Sequence, residues 1–399
     1  MSQIIFICGN FDLPGGNAAG KRVLGLGFLL RELGYKPVFI GTDNHRTAAD
    51  ILETAGQKAG FTYYGMKASV SSRDWLEVGS HYADCLRVIS RYRMEDITGI
   101  LLYGNPVISL WSGKLIRWAK KAGKVVIGDC VDWIERNGKW NARNLVKYVD
   151  TALSKRWFLP RCDGMIVISR YLERYYRSRG SKTVVIPPVQ APKSGQRSER
   201  GSGPLRLIYA GTPFMLDRRI DPADFKDRLD WSIELIGKIQ DSPVVFDIYG
   251  ITREQYLLSV PQHRELLDTR LREVVVFHGA QPSEVVEQAV RDADFTLLNR
   301  QVTKVTTAGF PTKIAESLSL FTPVITNRTS DLEEYVQEGK NGFFLPDGDG
   351  EDAASHLADI LCAAHERVRD MREYCQQHPR LLYTAFIPAM EAFLREVQA

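Results

Sequence analysis

The chain has 399 residues, 44% of them hydrophobic and 25% charged, which is ordinary for a globular protein with two or three cores. Its 52 Lys and Arg against 48 Asp and Glu leave a net charge of +4, which does not call for a nucleic-acid partner. The six cysteines and seven histidines are scattered without a Cys-x-x-Cys pair or zinc-ligand spacing, no apolar run reaches the ~18 residues of a membrane span, and MSQIIFICGN has no basic leader start. A cytoplasmic protein with buried, reduced thiols is the expectation.

QIIFIC, residues 3–8, predicts a buried strand. The loop GNFDLPGGNAAG follows, then a helix from about Lys21 to Leu33 with Val23, Leu26, Leu30 and Leu33 on one face, then a strand in PVFIG. This β-loop-α-β unit opens a doubly wound α/β domain. Further strands are expected in GILLYG (99–104), KVVIGD (124–129), GMIVIS (164–169) and TVVIPP (183–188), with helices between them. Residues 189–204, VQAPKSGQRSERGSGP, read as a linker or long exposed loop. The pattern restarts in LRLIYAG (205–211), VVFDIYG (244–250), VVVFHG (274–279), ADFTLL (293–298), PVITN (323–327) and GFFL (342–345). Leu382, Phe386, Met390, Phe393 and Leu394 recur at helical spacing in the tail. The expected domains are 1–188 and 205–381, two Rossmann-like doubly wound halves facing across a cleft, with the ligand at the carboxyl ends of the strands.

Gly15-x4-Gly20-Lys21 matches most of a phosphate loop, but Arg22 stands where a magnesium-binding hydroxyl belongs, and Pro14 and Gly16 are extra. What remains at Gly15 and Gly16 is a turn whose backbone can approach a ligand, or a surface loop before a helix. Asp129, Asp132 and Glu135 lie at a strand end, placed to orient an acceptor hydroxyl or to act as a base; they equally suit a solvated helix start. In the second half, Arg218, Arg219, Lys226 and Arg228 follow the first strand, Arg300 closes ADFTLLNR, and Lys313 opens a later helix. Cations from several strand ends can converge on a leaving phosphate. From Trp111 to Trp157, Lys and Arg alternate with tryptophans, suiting either an anionic bilayer surface or a solvated face with core tryptophans.

The stretch Thr306 to Asn327, TTAGFPTKIAESLSLFTPVITN, predicts loop, helix and strand. Pro311 suits a first helical turn, and the amides from Phe310 to Lys313 then face the loop, where an anion can bind. Lys313 and Glu316 share one side of that turn.

These residues together resemble the family 4 retaining glycosyltransferases of the GT-B fold, bacterial surface-polysaccharide type. The resemblance covers nearly the whole chain: the PGG loop at 14–16, DGMIVISRYLERYY, VVIPP, LIYAGTP, FDIYG, FHGAQPSEVVE and GFPTKIAESLSLFTPVITNRTSDLEEYVQEGKNGFFL. It implies a metal-independent, hexosyltransferase-type transfer from a UDP or GDP sugar to the hydroxyl of a glycan or lipid-linked glycan. The configuration is retained and no cofactor is used. The implied location is cytoplasmic, at the inner face of the membrane, with peripheral association. By position, Glu316 matches the glutamate that holds the ribose, and Gly309, Phe310, Pro311 and Thr312 match the diphosphate-binding turn. Lys226, Arg300 and Lys313 are its cations, and Gly15 and Gly16 approach the donor from the first domain. The tail helix, about 382–399, is implied to return to that domain.

Two positions depart from the family. Ala308 stands where relatives have a first glutamate against the donor sugar, which leaves Thr306, Thr307 or backbone amides to hold it. Tyr103-Gly104-Asn105-Pro106 lacks the histidine that many relatives carry there. A mechanism in which the departing phosphate takes the acceptor proton needs neither. A non-catalytic nucleotide-sugar binder or partner subunit on the same fold is the alternative.

Overall fold

A computed structural model describes residues 3–13, 17–43, 55–67, 81–104, 109–134, 142–198, 203–239 and 244–399. The chain divides into two compact units. One holds Met1–Ala191, Ala308–Phe310 and Leu382–Ala399, and the other Pro192–Thr307 and Pro311–Leu381.

The first unit contains β1 (Ile4–Asp12), β2 (Lys36–Asp43), β3 (Gly56–Lys58), β4 (Phe61–Lys67), β5 (Ile97–Tyr103), β6 (Val125–Cys130), β7 (Gly164–Val167) and β8 (Thr183–Val185). Their order is β3-β4-β2-β1-β5-β6-β7-β8, parallel except for the β3–β4 hairpin. Runs such as Ile4–Cys8, Ile100–Leu102 and Met165–Val167 are buried throughout, as a parallel sheet covered on both faces requires. β1 runs four residues beyond the predicted QIIFIC; its pairing with β2 shifts register after Cys8 and resumes at Asp12↔Thr42. The helix after it begins at Ala18 rather than Lys21, because Asn17 caps it, accepting from the Gly20 amide at 2.8 Å. The β3–β4 hairpin is not predicted by the pattern: its turn residues Ala59 and Gly60 both have positive φ, and alanine gives no sign of that. In the tail, the helix Ile387–Gln398 places Met390, Phe393, Leu394 and Val397 in the same core as Ile7, Leu26 and Ile186.

The second unit contains β9 (Leu205–Ala210), β10 (Val244–Tyr249), β11 (Val275–Gly279), β12 (Phe295–Leu298), β13 (Val324–Asn327) and β14 (Gly342–Leu345), each within a predicted apolar run. The order β11-β10-β9-β12-β13-β14 is all parallel. Counted from β9 it reads 3-2-1-4-5-6, the doubly wound order, and it reverses between β9 and β12. Ligands of such sheets bind outside the strand carboxyl ends at that reversal.

The described part of the expected linker is anchored rather than free. Gln190 accepts from the Tyr383 amide at 3.0 Å, Lys193 pairs with Glu287 at 2.5 Å, and Arg197 pairs with Asp294. Five cysteines are buried as expected, and Cys362 is exposed.

Candidate functional site

The second unit gathers an ionic cluster at the β9/β12 reversal. β12 ends at Leu298, and Arg300 follows two residues later. Asn327, at the end of β13, grips its backbone: the Arg300 amide donates to Asn327 Oδ1 at 2.9 Å, and Asn327 Nδ2 donates to the Arg300 carbonyl at 2.7 Å. Asp227 lies between Phe225 and Leu229, both buried, so its carboxylate is carried inward with them. It accepts from Arg300 Nε at 2.8 Å and from Lys313 Nζ at 2.7 Å. Tyr209, on β9, donates its hydroxyl to the same carboxylate at 3.1 Å.

Burial alone would raise the pKa of Asp227, but Lys313 and Arg300 outweigh it and hold the carboxyl well below its usual range. Tyr209 is pushed well above the usual phenol range by burial and by Asp227. Two cations around one carboxylate leave a net positive charge. Arg300 Nη1 is buried and has no hydrogen-bond partner among the described protein groups. Such a donor suits an oxyanion, which guanidinium binds through a fork.

The backbone at the strand ends is open to close approach. Gly211 (φ +144°) follows β9 and Gly250 (φ +97°) follows β10. A Cβ on Gly211 would meet Lys313 Cε at 2.2 Å, so the lysine stem lies along bare backbone. Lys313 belongs to the helix Thr312–Ser319. Pro311 is its N-cap rather than its first helical residue; its carbonyl accepts from the Ile314 amide at 3.1 Å, and the amides of Thr312 and Lys313 precede the first intrahelical bond. Glu316 is half-buried one turn further along the same helix.

The structure thus brings Arg300 and Lys313 together. Lys226 is exposed, next to Asp227. Gly309 and Phe310 are buried and group with the first unit. Gly15 and Gly16 lie outside the described residues.

Several other expected residues have partners within the protein. Asp129 is fully buried, and both its oxygens are taken by Arg22, Nη2 at 2.8 Å and Nε at 3.1 Å. Arg22 Nη1 also donates to the Ile186 carbonyl at 2.7 Å and the Pro187 carbonyl at 2.5 Å. The Arg22–Asp129 pair thus joins a helix, β6 and the chain after β8. Asp132 is half-exposed and pairs with the buried Lys155. Arg228 is held by Asp230 at 2.6 Å and lies over Trp231. Thr306 is buried within the short helix Lys304–Ala308, its hydroxyl donating to the Gln301 carbonyl at 2.6 Å and accepting from the Thr303 amide at 2.8 Å, while Thr303 Oγ1 accepts from the Thr306 amide at 3.2 Å.

Asp227, Tyr209 and Asn327 are absent from the predicted site. Asp227 stands in sequence between two basic residues, Lys226 and Arg228, but its actual partners, Arg300 and Lys313, are 73 and 86 residues away. A cavity of about 480 Å³ also opens in this unit, lined by Arg206, Asp247, Tyr249, Glu284 and Gln288 among others, but none of the cluster's cations line it. Among the described residues, no group of three or more His, Cys, Asp or Glu is placed to hold a metal ion.

Residues 219–363 match the family described as Glycosyl transferases group 1. A Salmonella typhimurium protein, provisionally named the colanic acid biosynthesis glycosyltransferase WcaL, is 28% identical over 103 residues, or 26% of this chain and 25% of that relative. Sucrose-phosphate synthase from Thermosynechococcus elongatus superposes with a TM-score of 0.68 at 15% identity, covering 99% of both chains. HepE of Anabaena in complex with UDP-glucose gives 0.63 at 14% identity over 98% of this chain and 99% of its own. The UDP-forming trehalose-phosphate synthase of Burkholderia vietnamiensis gives 0.63 at 10% identity, over 100% of this chain and 99% of its own. At these identities the likeness shows the fold, which is GT-B: two parallel-sheet α/β units.

Proposed function

We propose that the chain transfers a sugar from a nucleoside-diphosphate sugar to an acceptor hydroxyl, with retention of configuration. The observation that carries this reading is the Asp227–Arg300–Lys313 cluster at the strand reversal of the second unit. Arg300 and Lys313 neutralise the diphosphate as the glycosidic bond breaks, and Asp227 keeps both cations aimed before the donor arrives. The amides of the first turn of Thr312–Ser319 add partial positive charge. Glu316, on the same helix, accepts hydrogen bonds from the ribose hydroxyls. With Asp129 locked to Arg22 and no carboxylate at Ala308, the departing phosphate oxygen takes the acceptor proton on the face that the leaving group vacates.

Protein cations do the work of a metal in this scheme. The family match over 219–363 and the UDP-glucose complex of HepE support the donor class. The short match to a colanic acid glycosyltransferase supports a glycan acceptor in surface-polysaccharide assembly. A non-catalytic nucleotide-sugar binder is the second reading, favoured by Ala308 and by the paired state of Asp129.

Turnover of a panel of UDP and GDP sugars separates the two. Glu316→Ala is expected to lower kcat/KM by about 10- to 100-fold, as losing hydrogen bonds to a charged group of ~1.5–3 kcal/mol implies. Nucleotide binding with no transfer or hydrolysis across the panel would leave the binder.

A further inference from the structure

The cavity of about 480 Å³ in the second unit serves no step of the transfer, yet its walls are built of ordered polar groups. Its volume is within the ~300–1,000 Å³ of small-molecule sites. One wall is the sheet. Asp247 and Tyr249 are two apart on β10, so both side chains leave the same face. The other wall is the helix Ser283–Asp292, which presents Glu284, Gln288 and Asp292 at spacings of four. Arg206, on β9, completes the polar lining. The sheet side is set in advance by Asp247, which is buried. Its Oδ2 accepts from Arg206 Nε at 3.0 Å and Nη2 at 2.9 Å, and its Oδ1 pairs with His278 Nε2 at 2.7 Å. The His278 ring stacks on Tyr249, with centroids 4.2 Å and planes 10° apart. One buried carboxylate thus fixes a guanidinium directly and an aromatic ring through the histidine.

The polar atoms left over are of both kinds. Among the described residues, Arg206 Nη1, the Tyr249 hydroxyl and the Glu284 carboxylate have no hydrogen-bond partner. Gln288 uses only its amide nitrogen, which donates to Asp292 at 3.0 Å and to the Gln196 carbonyl at 3.1 Å. Asp292 is further occupied by the Ser198 amide and hydroxyl. Free donors beside free acceptors suit hydroxyl groups, each of which gives one proton and accepts at two lone pairs. Three carboxylates against one guanidinium, itself neutralised by Asp247, disfavour a phosphate ester. A polyamine would use the acceptors and leave Arg206 without a partner. The electron-rich face of the Tyr249 ring suits the C–H groups of a sugar ring.

We infer that this cavity is a non-catalytic carbohydrate site, which takes a neutral saccharide through Tyr249, Arg206, Glu284 and Gln288. None of the cations of the Asp227 cluster lines it, and it needs no nucleotide. The inference therefore stands apart from the sugar-transfer reading.

The test is calorimetric titration of the full chain with maltose, cellobiose, lactose and gentiobiose, with spermidine and glucose 1-phosphate as charged controls. At least one disaccharide is expected to bind, and neither control. Tyr249→Ala is expected to weaken that binding about tenfold, through loss of the ring face and the hydroxyl. Glu284→Ala with Gln288→Ala is expected to weaken it at least about tenfold, since a hydrogen bond to a charged group is lost. Both of these helix positions are exposed, so the double variant carries the test should Tyr249→Ala not fold, and circular dichroism verifies each. Glu316→Ala is expected to bind the disaccharide as the wild type does, which separates this cavity from the donor site. The inference is overturned if no disaccharide binds, if binding survives Glu284→Ala/Gln288→Ala unchanged, or if Glu316→Ala abolishes it. Binding of spermidine or glucose 1-phosphate in place of the disaccharides would overturn it as well.

Discussion

Asp227→Asn is expected to lower the unfolding free energy by about 3–5 kcal/mol at pH 7, the cost of leaving a buried charge without its partner. Arg300 is buried and cannot turn to solvent, whereas Lys313 is more exposed and can, so most of the loss comes from Arg300. Asn keeps the shape of the site, which separates charge from packing. The carboxyl of Asp227 is held below its unfolded value of about 3.9. Its stabilisation is therefore complete above about pH 4 and fades as pH falls toward the folded value. Denaturant titrations at pH 7 and at about pH 3, below the unfolded carboxyl value, should show the gap between wild type and variant narrowing in acid. Asp227→Asn/Arg300→Met is expected to recover part of the loss, because it removes the orphaned charge as well. A single-variant loss below about 1 kcal/mol would mean that the cluster is solvated and not preorganised.

The second large effect lies in the first unit. Arg22→Met leaves Asp129 fully buried without its guanidinium and leaves the Ile186 and Pro187 carbonyls without a donor. A loss of about 3–5 kcal/mol is expected, with partial recovery in Arg22→Met/Asp129→Leu. Equilibrium unfolding of the two variants measures both. If the double variant is no more stable than the single one, the pair is not the brace described here.

Much of the architecture was legible because parallel strands covered on both faces are written as unbroken apolar runs, and all six strands of the second unit lie inside such runs. The β3–β4 hairpin was not legible, since Ala59 gives no sign of positive φ. The extension of β1 was not legible either, because Gly9 to Asp12 reads as a loop while its pairing is set by β2 and β5. At the site, Arg300 and Lys313 could be read from their places after a strand and at a helix start. Asp227 could not, since its role depends on two cations distant in sequence. The pairing of Asp129 was not legible for the same reason. Its partner, Arg22, lies 107 residues away.

The cluster's purpose is tested most directly by calorimetric titration of UDP, GDP and their sugars into the wild type and Lys313→Ala. The account predicts that at least one nucleotide diphosphate binds the wild type, and binds the variant about 10- to 100-fold more weakly, the loss of a charge-assisted contact of ~1.5–3 kcal/mol. Binding of every nucleotide equally well by both proteins, or by neither, would contradict it.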